Sequence, residues 1–156
     1  AIDYQKQAYP EMYEVTSRMP VAESVDASYA ATNDLMKAHP DMVGIISYGS
    51  LGLIGAGEAI KKKRAKNKIN TVGILMPSQA APYLMRGEID KGFLWNPADA
   101  GYALVSVAKQ MLDGKDVSQG VAIEGLGEAE INNDTKVIKF NSILEVDKNN
   151  ARQLGF

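Results

Sequence analysis

The residues best suited to chemistry in this chain are Trp95 and Asn96, within the stretch Gly92-Phe93-Leu94-Trp95-Asn96-Pro97-Ala98-Asp99-Ala100-Gly101-Tyr102. An indole offers a flat apolar face that stacks on the C–H groups of a ring, and a neighbouring amide satisfies hydroxyls. Together they have the form of a sugar platform. The short run Phe93-Leu94-Trp95 reads as a strand. Asn96 can cap orphan backbone N–H groups, and Pro97 sits at the first helical position, where a missing N–H costs nothing. Open α/β sheets place ligands where strands end and helices begin. Tyr48, Ser50 and Met76, at the ends of two earlier predicted strands, join the candidate set on the same ground.

Other residue groups have simpler explanations. Gly49, Gly52, Gly55 and Gly57 lie between a predicted strand and helix, but form no G-x-G-x-x-G, and no acidic residue closes a following strand to hold a ribose. Small residues there let a helix start pack close to the sheet and leave room for a small ligand. Lys61-Lys62-Lys63-Arg64 fall late in a helix, where basic residues complement its dipole and stay solvated. His39, the lone histidine, precedes Pro40 at a helix end and reads as a dipole partner. Glu58, Glu88, Asp90 and Asp99 show no pairing pattern and read as surface carboxylates, Asp99 as helix-start charge. With no cysteine there are no disulfides or thiolate sites. No nucleophile–base pair, metal cluster or phosphate loop is visible, so neither an enzyme nor a cofactor is expected.

The elements that must position these residues alternate. Ile2 to Tyr9 reads as the tail of a helix stopped by Pro10. Met12-Tyr13-Glu14-Val15-Thr16 alternates like a strand. Val25, Tyr29, Thr32 and Met36 recur at helical spacing, predicting a helix over 22–38, with His39-Pro40-Asp41 as its stop. Val43 to Tyr48 is a continuous apolar run typical of a covered parallel strand. A helix through Ile60 follows, then a strand over 69–76, a helix over 79–86, the strand at 93–95 and a helix over 97–112. Residues 121–131, 137–140 and 143–146 read as short strands joined by turns. Strand–helix alternation implies an α/β, Rossmann-like parallel sheet, followed by a strand-rich C-terminal segment.

The composition, 156 residues with 46% hydrophobic and 23% charged, is that of a globular chain with a real core. A net charge of −2 argues against nucleic acid as a partner. The longest apolar runs are too short to span a bilayer. The opening Ala1-Ile2-Asp3-Tyr4 has no leader character; a leader has been removed, or the chain starts downstream of one.

Several segments resemble type I periplasmic sugar-binding proteins of ABC importers, in the branch of rhamnose-binding and autoinducer-2-binding receptors. Ala31 to Ile46 is similar to the family's helix and strand before its first pocket loop. Val72-Gly73-Ile74-Leu75-Met76-Pro77 with Ala81-Pro82-Tyr83-Leu84-Met85-Arg86-Gly87 resembles its strand, loop and MRPYVxxG segment, in altered order. Leu94-Trp95-Asn96-Pro97 with Gly101-Tyr102 is the most specific match, and Ile143 to Phe156 resembles the family's tail.

The resemblance implies two Rossmann-like lobes clamping a sugar or autoinducer-2-like ligand for delivery to a membrane ABC permease. It implies a periplasmic or extracytoplasmic location, lipid-anchored in a Gram-positive organism. Family positions that touch ligand fall at Ile54, where the receptors carry proline, and at Ala56, where the alanine is kept. Family members run to about twice this length. The resemblance therefore implies a C-terminal half: 1–96 the remainder of the C-terminal lobe, incomplete; 97–140 a segment that returns to the other lobe; and 141–156 a crossing and tail. Such a chain is expected to be complemented by its N-terminal half or to exchange elements with a second copy. The alternative is the effector-binding core of a LacI-type transcription regulator, which shares the fold.

Overall fold

The computed structural model describes residues 2–65 and 68–154. The chain runs α1 (Ile2–Ala8), α2 (Val25–Ala38), β1 (Gly44–Ser47), α3 (Gly52–Lys63), β2 (Asn70–Ile74), α4 (Pro77–Arg86), β3 (Lys91–Trp95) and α5 (Pro97–Leu112). Five short strands follow: β4 (Ala122–Ile123), β5 (Gly127–Glu128), β6 (Glu130–Asn132), β7 (Val137–Lys139) and β8 (Ile143–Val146). A four-stranded sheet has the order β1-β2-β3-β8. β1 and β2 are parallel, in the register Gly44↔Asn70 through Ser47↔Gly73. The chain divides into one unit of residues 1–92 and 146–156 and another of residues 93–145.

The helix starts follow from local chemistry. Ser24 caps α2: its backbone is extended and its hydroxyl accepts from Ala27 N–H at 3.2 Å. That cap puts the helix start at Val25, three residues later than hydrophobic spacing suggests, because periodicity does not see where the first orphan N–H finds its acceptor. α4 and α5 both begin on proline, and Gly87 ends α4 in the left-handed conformation.

Two predicted strands come out differently. Met12–Thr16 is not a strand. Alternation describes which face a strand would bury but supplies no neighbour for its N–H and C=O groups. Here Val15 packs on Met42, Ile60 and Ile69, and the Met12 backbone bonds to Tyr9 O and Gln5 Nε2, while the Met12 and Tyr13 side chains stay exposed. Residues 121–131 are not one strand but a tight β4–β5 hairpin, pairing Ala122 with Glu128 and Ile123 with Gly127, followed by the start of β6. Gly125 and Gly127, at φ of +81° and +78°, turn the chain where most residues would be strained.

The core of the first unit is a cluster of Leu53, Ile54, Leu75, Ala80, Ala81, Leu84, Ile89, Val146 and Ala151. A smaller cluster of Met42, Ile60 and Ile69 is flanked by Val15, Leu35, Met36 and Ile45. The second unit is different in character. Helix α5 has no buried residue, and Tyr102, Leu104, Val105, Met111 and Leu112 are all exposed, Leu112 at 88%. β6 and β7 form a separate antiparallel pair.

Candidate functional site

In the first unit the parallel pair β1–β2 delivers its C-terminal ends to one edge, and the loops leaving that edge carry Tyr48, Ser50 and Met76. Tyr48 is 56% exposed, and Ser50 and Met76 are half-buried. The loop after β1 is tightly organised. Ser47 Oγ donates to Gly49 O at 3.2 Å, Leu51 N–H to Ala22 O at 3.1 Å, and Gly52 N–H to Gly49 O at 3.4 Å. Glu23 closes the arrangement, its carboxylate accepting from Ser50 N–H at 3.3 Å and from Ser50 Oγ–H at 3.0 Å. Sequence reasoning did not identify Glu23: no local pattern connects two residues 27 positions apart.

Ile54 and Ala56 follow on α3 and are inside the protein. Ile54 is 7% exposed, packed in the main core cluster, and Ala56 is buried as well. In the conformation described here neither side chain is offered to solvent.

In the second unit, Trp95 ends β3 and is 52% exposed. Asn96 is the N-cap of α5, its Oδ1 accepting from Ala98 N–H at 2.9 Å, with Pro97 at the head of the helix. The cap engages the amide oxygen, so the Nδ2 donors are the part of the side chain suited to a hydroxyl. An exposed indole face next to an oriented amide is the geometry that sugar stacking needs.

Several other titratable groups have structural occupations. Glu88 is not a surface carboxylate: it is 6% exposed and paired with Arg86 Nε at 2.9 Å, because a buried charge persists only with a partner. Asp90 Oδ2 accepts from Thr71 N–H at 2.7 Å, and Thr71 Oγ1 accepts from Asp90 N–H at 3.1 Å. Lys62 Nζ stands 5.1 Å from the centroid of the Tyr29 ring, and hydrogen bonding to that ammonium lowers the phenol's pKa. His39 is the C-cap of α2, its N–H donating to Leu35 O. Among the described residues, no three of His, Asp and Glu converge as a metal site, and no helix is long and apolar enough to cross a membrane. A depression of about 530 Å³ at the opposite ends of β1 and β2, lined by Met36, His39, Met42, Val43, Lys63 and Lys68 among others, lies away from the candidate loops.

A family model described as the periplasmic binding protein domain matches residues 1–116. Among solved structures, LsrB from Clostridium saccharobutylicum in complex with AI-2 is similar at 19% identity and a TM-score of 0.80, covering 99% of this chain and 53% of that one. A sugar ABC transporter protein from Actinomyces odontolyticus is similar at 19% identity and a TM-score of 0.82, covering 99% and 51%. An ABC transporter solute-binding protein from Clostridium phytofermentas with bound L-rhamnose is similar at 17% identity and a TM-score of 0.79, covering 98% and 52%. The chain thus spans about half the length of these structures and has the type I periplasmic binding protein fold over that half. With the family match over residues 1–116, the chain belongs to the periplasmic binding protein domain family.

Proposed function

We propose that this chain is the C-terminal half of a solute-binding protein that works outside the cytoplasm and presents a small sugar, of the rhamnose type, or autoinducer-2 to an ABC permease. The observation that carries the reading is Trp95 with Asn96: an exposed indole beside a capped amide at a strand end, in a chain of this family. Trp95 supplies the stacking face and Asn96 the hydroxyl partner. Tyr48, Ser50, Ile54, Ala56 and Met76 are the positions of the first unit that serve the ligand, Ile54 and Ala56 by shaping α3. No step is catalytic; the ligand is bound and released unchanged.

One wall gives weak affinity, on the order of 1 mM, because much of the ligand stays in water. The opposite wall comes from the N-terminal half or from a second copy of this chain. The exposed apolar residues of α5 support that requirement, since contiguous apolar surface of this kind is otherwise rare on a monomer. Attachment of the whole protein to the membrane by a lipid, in a Gram-positive organism, belongs to the same proposal.

Trp95 is the sole tryptophan, so its emission reports on the site directly. Titration with L-rhamnose, D-arabinose or autoinducer-2 should shift or quench that emission with saturation, and Trp95→Ala should weaken binding, followed by calorimetry, by about tenfold. Unchanged emission with every ligand at concentrations well above 1 mM rules the reading out.

A further inference from the structure

Glu23 belongs to no helix, yet its position is fixed. Ser24 N–H donates to Val21 O at 3.0 Å, Ser28 Oγ–H donates to the same carbonyl at 2.7 Å, and Ser24 caps α2. From this turn the Glu23 carboxylate takes both polar hydrogens of Ser50, one on each oxygen. Two parallel bonds from one residue define a direction as well as a distance, and a charged acceptor makes each stronger than a neutral one. The backbone reinforces the link through Leu51 N–H to Ala22 O. Sterics also require it: a Cβ on Gly49 would lie 2.6 Å from Ala22 O and 2.5 Å from Glu23 Oε1, so the loop can approach the turn only with glycine there. Finally, α3 has no side-chain cap at Leu51 and no acidic residue in its first turn, so the carboxylate beside its start comes from Glu23, outside the helix.

We propose that Glu23 is a positioning residue of the ligand site: it straps the 48–51 loop so that Tyr48 is presented to ligand, and Ser50 serves as the strap's anchor instead of contacting sugar. This rests on the reading of the site given above. It changes the roles within that site, because the Ser50 hydroxyl is already committed to a carboxylate and the two residues act as one unit.

The test uses the full chain with Glu23→Ala, Ser50→Ala, the double variant and Glu23→Gln. Amide hydrogen exchange of the 49–53 segment is measured without ligand, and L-rhamnose affinity by calorimetry. Exchange in the segment should rise in both single alanine variants. Each should weaken L-rhamnose binding by roughly three- to tenfold, the range one lost hydrogen-bonded link gives. The double variant should be no weaker than either single variant, and Glu23→Gln, which keeps an acceptor, should recover part of the affinity. Unchanged exchange in Glu23→Ala overturns the strap whatever the sugar does. Faster exchange with unaltered affinity, or losses that add in the double variant, overturns the positioning role alone. A parent chain that shows no response to L-rhamnose, D-arabinose or autoinducer-2 overturns the proposed function, and the positioning role with it.

Discussion

Leu75 and Gly92 offer a quantitative test of how the first unit is packed. Leu75 is fully buried in the main cluster, just past the end of β2, and Gly92 is buried in β3. A Cβ built on Gly92 would overlap Cγ, Cδ2 and Cδ1 of Leu75 and meet them before any other atom. Those are the three carbons that Leu75→Ala removes. Gly92→Ala alone should therefore be an overpacking change costing about 1–3 kcal/mol, since a leucine with no exposed surface has little space to rotate into. Gly92 has no positive φ to make alanine itself unfavourable. Leu75→Ala alone forfeits three buried carbons at about 0.8 kcal/mol each plus a cavity term, about 3–4 kcal/mol in all. In the double variant the new methyl enters the vacated space and meets none of the atoms it overlapped. It restores one carbon of three and gains about 0.4–1 kcal/mol from a stiffer unfolded chain. The pair should then cost about 1–3 kcal/mol, against about 4–7 for the summed singles, a coupling of about 2–5 kcal/mol. Urea unfolding of the four proteins, followed by far-ultraviolet circular dichroism, measures this. Additivity within about 0.5 kcal/mol, or a neutral Gly92→Ala, would refute the packing argument.

Three further predictions follow from other contacts. Asp90→Ala should destabilise the chain by about 1–3 kcal/mol in the same urea assay, because Thr71 is fully buried and its N–H loses its carboxylate acceptor; Asp90→Asn, which retains an acceptor, should cost less. Asp147 has a depressed carboxyl pKa, held down first by the Asn149 backbone N–H at 2.7 Å and then by the Asn149 amide, the Asn150 backbone and Lys91. Because the folded pKa lies below the unfolded one, this contribution to stability is present above the ordinary aspartate pKa of about 3.9 and is lost as pH falls through the folded value. A carboxyl-carbon NMR titration placing Asp147 at or above its unfolded-peptide value would contradict that. Light scattering at micromolar concentration should find the chain in a species heavier than 16.9 kDa, or converted to one by the complementing half; a purely monomeric mass under both conditions removes the covering partner.

Much of the architecture was legible because its signals are local. Asn96, Pro97 and Gly87 punctuate the helices where the structure has caps and stops, and the apolar runs at 43–48 and 69–76 contain the two parallel strands. The features that escaped depend on partners remote in sequence or on short-range burial. Met12–Thr16 has strand alternation, but pairing is a property of two segments and cannot be read from one. Glu88 looked like any surface carboxylate because its burial is set by the loop after α4, where Arg86, two residues away, turns back to meet it. Ile54 shows the converse: a position marked by family likeness as touching ligand is also a core position of this chain. Residue type at one position could not separate those roles.

The glycine-rich stretch after β1 shows how steric surroundings decide between functions that composition leaves open. A phosphate cradle needs glycines whose missing side chains leave space for a ligand's oxygens. Here that space is filled by protein. A side chain at Gly52 would overlap Ser47 Oγ, one at Gly55 would meet Val25 O and stand 2.7 Å from Tyr29 N, and one at Gly57 would come within 3.1 Å of the Tyr83 ring. Three of these four glycines, Gly49, Gly52 and Gly55, draw the loop and the first turns of α3 against the 22–29 segment or the end of β1, and Gly57 faces α4. The approach that excludes a phosphate is also what brings Glu23 within reach of Ser50. Packing and the shape of the 48–51 loop are therefore set by the same residues. Gly49→Ala should consequently loosen the Glu23–Ser50 link as well as destabilise the fold, whereas Gly101→Ala on α5, where an added Cβ meets nothing within 4 Å, should do neither.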